Sequence, residues 1–145
     1  GSLQITTTLG FGNIGVIEQM IKQLASNEIR EYLKTQPNCV LLDVRTNDEW
    51  EQVGKPDGEI IGLKTYFLSL QFGEERIFNK NFVQEFKNLK ITQDKEILTI
   101  CRSGARSQFA AELLVKENYT CSNISDGFEG NNENIGWKMC GLPCL

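Results

Sequence analysis

Glu96-Ile-Leu-Thr-Ile-Cys-Arg-Ser-Gly-Ala-Arg-Ser-Gln-Phe-Ala-Ala-Glu-Leu-Leu-Val-Lys116 is the stretch that decides the fold. It opens with an apolar, β-favouring run through Ile100. It crosses a short polar loop, Cys101 to Ser107, and continues as a helical-looking segment from Gln108 to Lys116. Strand, tight loop and helix in that order form the repeating unit of an α/β domain. The loop also carries chemistry. A helix start presents unpaired N–H groups and a positive dipole end, and so favours an anion. A thiol placed there ionises more readily than one in solution, and the thiolate is the nucleophile. Two arginines, Arg102 and Arg106, stand within five positions of Cys101.

The same alternation extends in both directions. Upstream, Ile21 to Leu24 reads as a short edge strand, and Ser26 as the N-cap of a helix running to about Lys34 with Ile29 and Leu33 inward. Cys39 to Val44 is a nearly continuous apolar run, the pattern of a strand covered on both faces. Thr46 with Glu49 three positions later makes a capping box for a short helix. Gly54 to Gly58 is a loop, and Glu59 to Ile61 and Thr65 to Leu68 read as strand pieces. Asn79 to Lys90 places Phe82, Val83, Phe86 and Leu89 at helical spacing. Downstream, Thr120 to Ser125 is a last strand, Asp126-Gly127 a turn and Ile135 to Cys140 a final helix. The expected fold is α/β with a mainly parallel sheet. In such sheets ligands bind beyond the carboxyl ends of strands, which puts Asp43-Val-Arg45 and Cys101 on one rim. Residues 21–145 are expected to form one domain, with residues 1–20 a partly ordered extension in which Gly1-Ser2 reads as a cloning remnant.

Composition narrows the function. A chain of 145 residues with 40% hydrophobic and 23% charged residues has the balance of one ordinary globular domain. Its net charge of -4 argues against a nucleic-acid partner held through phosphates. No apolar stretch has the length of a membrane span, and no secretory signal pattern opens the chain, so the expected setting is cytoplasmic. Five cysteines, an odd and uneven set, point to reduced thiols rather than a disulfide scaffold. The chain holds no histidine, which removes mechanisms that need an imidazole base and most zinc sites. No metal or organic cofactor is expected.

The order of these features resembles the rhodanese family of sulfurtransferases. The resemblance rests on Leu-Leu-Asp-Val-Arg45 with Glu49 and Trp50, on Cys-Arg-Ser-Gly-Ala-Arg-Ser107, on Asp126-Gly-Phe-Glu-Gly130, and on Gly136-Trp-Lys-Met-Cys-Gly-Leu-Pro143. It implies a rhodanese-like fold, a five-stranded mainly parallel sheet flanked by helices on both faces. It also implies a reaction in which Cys101 takes a sulfane sulfur from a small anionic donor such as thiosulfate and passes it, as a persulfide, to a thiol or cyanide acceptor or to a protein acceptor. Two departures stand out. Val53-Gly-Lys-Pro-Asp-Gly58 replaces a histidine-containing segment found in many members, and Gly62 to Phe78 is longer than in minimal members, a variant like that of some bacterial single-domain proteins.

Each residue carries two readings. Cys101 is the catalytic nucleophile, or else a buried structural thiol. The backbone of Arg102, Ser103, Gly104, Ala105 and Arg106 is the expected sulfur cradle, with Gly104 permitting tight curvature. Arg106 either holds the donor's anionic end or anchors the loop, and Arg102 stands at the mouth. Ser107 supports the loop, most simply by capping the helix. Asp43 and Arg45 are expected to brace the rim, with Arg45 pairing to Glu49 or to a loop carbonyl. Cys140 and Cys144 are spare thiols, a disulfide pair or partners in resolving the persulfide. Cys39, Cys121, Trp50 and Trp137 are expected to pack. The competing functions are a cysteine-dependent phosphatase or arsenate reductase, which uses Cys-x5-Arg rather than the Cys-x4-Arg found here, and a sulfur-relay or partner-binding module that does not turn over small donors.

Overall fold

A computed structural model describes residues 15–18 and 20–145. Most of the 1–20 extension therefore lies outside the described residues. Within it residues 15–18 are helical, and Ile17 packs against the core. The elements in order are β1 (Lys22–Leu24), α1 (Ile29–Thr35), β2 (Cys39–Asp43), α2 (Asn47–Gln52), β3 (Lys64–Phe67), β4 (Gln71–Phe72), β5 (Ile77–Phe78), α3 (Phe82–Asn88), β6 (Glu96–Ile100), α4 (Ala105–Val115), β7 (Thr120–Ile124) and α5 (Gly136–Met139).

The main sheet has the order β1-β7-β6-β2-β3, with every neighbouring pair parallel. β2, at its centre with β6, is buried along its whole length. Its side chains alternate between two cores, as the period of two requires. Val40, Leu42 and Val44 join Ile97, Phe82, Phe86, Ala110 and Leu114 on the face covered by α3 and α4. Cys39 and Leu41 join Leu98, Ile124, Ile29, Phe128 and Trp137 on the face covered by α1 and α5. The expected α/β fold, a five-stranded parallel sheet with helices on both faces, is the observed one. No helix among the described residues is long and apolar enough to cross a membrane.

Local readings differ at a few points. Ser26 is not an N-cap. Ala25 precedes a 3-10 turn at Ser26–Glu28, and the buried Ser26 instead gives its N–H and its hydroxyl to Asp126 Oδ1, at 2.9 and 2.8 Å. The stretch around Glu59 to Ile61 is a 3-10 turn rather than a strand, closed by the Gly62 N–H donating to the Glu59 carbonyl at 3.1 Å. All five cysteines are free, so Cys140 and Cys144 form no disulfide. Cys39 and Cys121 are buried, and burial pushes both thiols up to about 12. Trp137 is fully buried with its indole N–H on the Pro143 carbonyl at 2.7 Å, and Trp50 packs edge-on against Phe67.

Candidate active site

The carboxyl ends of β2, β6 and β7 define the rim. Leaving β6, the chain turns through Cys101 to Gly104 and enters α4 at Ala105. Cys101 is buried, and its Sγ accepts the Gly104 N–H at 3.2 Å. Gly104 sits at φ +113, and a Cβ there would collide with the Ser125 carbonyl, so the turn is built for glycine. The next N–H groups, from Ala105 onward, belong to a first helical turn that has no intrahelical partner.

Ser107 does not cap α4, since Gly104 holds that position. Its hydroxyl lies inside the loop, 3.2 Å from Cys101 Sγ, 3.2 Å from the Gly104 carbonyl and 2.6 Å from Asn123 Oδ1. Asn123 in turn gives Nδ2–H to the Gly104 carbonyl at 3.1 Å and to Gln23 Oε1 at 2.9 Å. Asn123 and Gln23 escaped the sequence reading. The available signal was an asparagine within a β-strand segment, a residue that demands partners when buried.

The following turn fastens the loop from outside. Phe128 N–H donates to the Cys101 carbonyl at 2.8 Å and Glu129 N–H to the Arg102 carbonyl at 2.9 Å. Asn131 Nδ2 reaches the Ser103 carbonyl at 3.3 Å. Asp126 holds that turn in place, binding Ser26 through Oδ1 and the Gly136 N–H through Oδ2, the latter at 2.9 Å.

Arg106 of α4 reaches across to Glu49 of α2. Its guanidinium forms a two-toothed pair with Glu49, at 2.7 and 2.8 Å, and its side chain is 10% exposed. Glu49 also closes the capping box of α2 onto Thr46. Burial alone would raise the Glu49 carboxyl. The Arg106 hydrogen bonds and charge, with the Thr46 contacts, hold it down at about 2. Arg45 does not pair with Glu49. It lies fully buried on Asp43, with Nη2 at 2.8 Å from Oδ2, donates to the Gly54 carbonyl at 2.9 Å and stacks over the Phe128 ring. Asp43 and Arg45 thus brace the rim from beneath. Arg102 is 59% exposed at the mouth and pairs with Glu129 at 3.3 Å.

A cavity of about 350 Å³ opens over Cys101, walled by Arg102, Ser103, Ala105, Arg106, Gly130 and Arg76. Arg76 comes from the β4–β5 hairpin, inside the stretch noted as longer than usual, and no sequence signal singled it out. Of the 54–78 segment, only this hairpin reaches the cavity. Residues 55–57 pair instead with the chain's last residues, through Pro56 and Cys144, Asp57 N–H and the Pro143 carbonyl, and Leu145 N–H and the Lys55 carbonyl.

Comparison with known proteins agrees with this architecture. Residues 26–134 match the family described as Rhodanese-like domain. An uncharacterized protein of Rickettsia prowazekii is 42% identical over 128 residues, which is 86% of this chain and 97% of that one. A protein of Allochromatium vinosum named sulfurtransferase is 25% identical over 127 residues, 87% of this chain and 96% of that one. The crystal structure of Rv0390 from M. tuberculosis superposes with a TM-score of 0.73 at 31% identity, covering 86% of this chain and 96% of that chain. With most of its length matched and its parallel sheet in place, this chain belongs to the rhodanese-like domain family.

Proposed function

We propose that the protein is a sulfurtransferase that carries sulfane sulfur on Cys101. The Cys101 thiolate attacks the outer sulfur of a donor such as thiosulfate. A new S–S bond forms, the bond within thiosulfate breaks, and sulfite leaves with the electron pair. An acceptor then attacks the outer sulfur of the Cys101 persulfide. Cyanide leaves as thiocyanate, a small thiol or a protein thiol leaves as its own persulfide, and Cys101 returns as thiolate. The backbone of residues 102–106 cradles the sulfur, and Ser107 supports the cradle. The carrying observation is the cradle itself: Cys101 Sγ on the Gly104 N–H, beneath a cavity lined by arginines. The name of the Allochromatium relative supports the same reaction class.

The commitment of Arg106 to Glu49 weighs against a phosphatase or arsenate reductase. Such enzymes need the loop arginine free to embrace a tetrahedral oxyanion, whereas both terminal nitrogens of Arg106 here point at a carboxylate. The test is intact mass spectrometry after exposure to thiosulfate. The expected result is a gain of one sulfur atom, removed by cyanide and lost in Cys101→Ala. Hydrolysis of an aryl phosphate without sulfur loading would reverse the assignment.

A further inference from the structure

We propose that Arg76, carried by the β4–β5 hairpin, is the anion-binding residue of the Cys101 cavity, holding the charged end of the sulfur donor while its outer sulfur faces Cys101. The inference rests on the sulfurtransferase reading and names the residue that selects a small dianion for it.

Three arginines line the cavity, and they are not equivalent. Arg106 is tied to Glu49 by two short hydrogen bonds, and Arg102 is paired with Glu129. Among the described residues, no ion pair or side-chain hydrogen bond engages Arg76. An incoming anion therefore meets two arginines whose charge is already met by carboxylates and one whose charge is not. Charge is also segregated. No carboxylate lines the cavity over Cys101, whereas Asp48, Glu49, Glu74 and Glu129 line the adjoining one of about 450 Å³, which shares Arg76, Arg102 and Arg106 with it. The two cavities share the three arginines, and carboxylates line only the one that does not reach Cys101.

The hairpin is fixed well enough to place that charge. Asn79 N–H donates to the Leu70 carbonyl at 2.8 Å, Asn79 Nδ2 to the Ser69 carbonyl at 3.0 Å, and Ser69 Oγ to the Arg45 carbonyl at 2.8 Å. The hairpin base is thereby joined to the braced end of β2. On its other side the Phe78 ring meets Phe109 of α4 edge-on, with centroids 6.1 Å apart. At the tip, Arg76 N–H closes a turn onto the Gly73 carbonyl at 3.2 Å. A guanidinium suits this task because its planar donors fit two oxygens of a sulfonate-like group at once.

Two measurements on Arg76→Gln and Arg76→Lys test the assignment. The first is the rate of Cys101 sulfur loading at limiting thiosulfate. The second is the ratio of Cys101 alkylation rates by iodoacetate and by iodoacetamide, read by peptide mass; the two reagents form the same S–C bond with loss of iodide and differ in charge. Arg76→Gln is expected to slow thiosulfate loading about five- to tenfold and to lower the iodoacetate-to-iodoacetamide ratio about fivefold. Arg76→Lys should recover most of the reagent ratio and only part of the loading rate. An unchanged ratio in Arg76→Gln would overturn the proposal, as would an equal slowing by both reagents, which would mean that the hairpin acts through cavity shape. If the wild-type protein loads no sulfur yet Arg76→Gln still lowers the ratio, the sulfurtransferase reading fails while Arg76 stands as the anion-binding residue.

Discussion

The cavity over Cys101 has two walls of opposite construction. The 101–107 loop is enclosed: its first three carbonyls are bound by the 126–131 turn, Ser107 is buried, and Arg106 is locked to Glu49. The 71–78 hairpin is a pair of two-residue strands whose Phe72, Ile77 and Phe78 are exposed. One wall is set by packing against the whole domain, the other by a few bonds at its base. Under the proposed sulfur transfer, the enclosed wall suits the step that must not vary, the handling of one sulfur atom. The open wall is where related chains can change what approaches.

Glycines in the two walls give the sharpest way to break this contrast. Gly104 and Gly73 both adopt positive φ, +113 and +69. A Cβ on Gly104 would strike the Ser125 carbonyl, whereas a Cβ on Gly73 meets nothing within 4 Å. Gly104→Ala is therefore expected to cost about 3 kcal/mol or more, combining backbone strain with a collision that no side chain can relieve. Gly73→Ala should cost only the conformational part, about 1 kcal/mol. Chemical denaturation of both variants checks the difference. Equal losses would mean that the loop is no more rigidly enclosed than the hairpin.

The same division explains what was legible in the sequence. The nearly continuous apolar run from Cys39 to Val44 and the strand-loop-helix at Cys101 follow from local rules, so the sheet and its rim were readable. The Thr46–Glu49 capping box was readable because three residues of spacing determine it. The Arg106–Glu49 pair was not, since it joins positions 57 residues apart and Glu49 had Arg45 as a nearer partner. Ser26 had the right residue type for a cap, but the distant Asp126 claimed it. Arg76 carried no local signal at all. Its place depends on how an irregular stretch folds back over the rim.

The Arg106–Glu49 pair offers the next test, because it fastens the enclosed wall to α2. Its side chains are 10% and 20% exposed. Glu49→Gln would leave a largely buried guanidinium beside a neutral amide, at an expected cost of about 2 kcal/mol, less than for a pair wholly out of water. The pair also gives the protein an acid dependence. The carboxyl titrates at about 2 in the folded chain against an ordinary 4.5. The folded state thus binds fewer protons than the unfolded state between those values, so the contribution is complete above about pH 4.5 and disappears as pH falls toward 2. Thermal melts from pH 6 to pH 2 should show the wild-type protein losing stability more steeply than Glu49→Gln in that window. Parallel curves would show that the pair contributes nothing to folding.

The smallest expected effect lies in the open wall. Phe78 is 42% exposed and Phe109 46%, so their edge-on contact is half in water and contributes about 0.5–1 kcal/mol. Phe78→Ala should barely lower the melting temperature. Its consequence belongs to position rather than stability, because this contact and the bonds of Asn79 are what hold the hairpin beside α4. A hairpin freed on one side spends less time with Arg76 over Cys101. The iodoacetate preference of Cys101 should then fall part of the way toward the Arg76→Gln value, with iodoacetamide reactivity little changed. A full loss of melting stability in Phe78→Ala would place the hairpin with the enclosed wall. A fall in preference at near-normal stability is what separates a wall that is packed from one that is merely tethered.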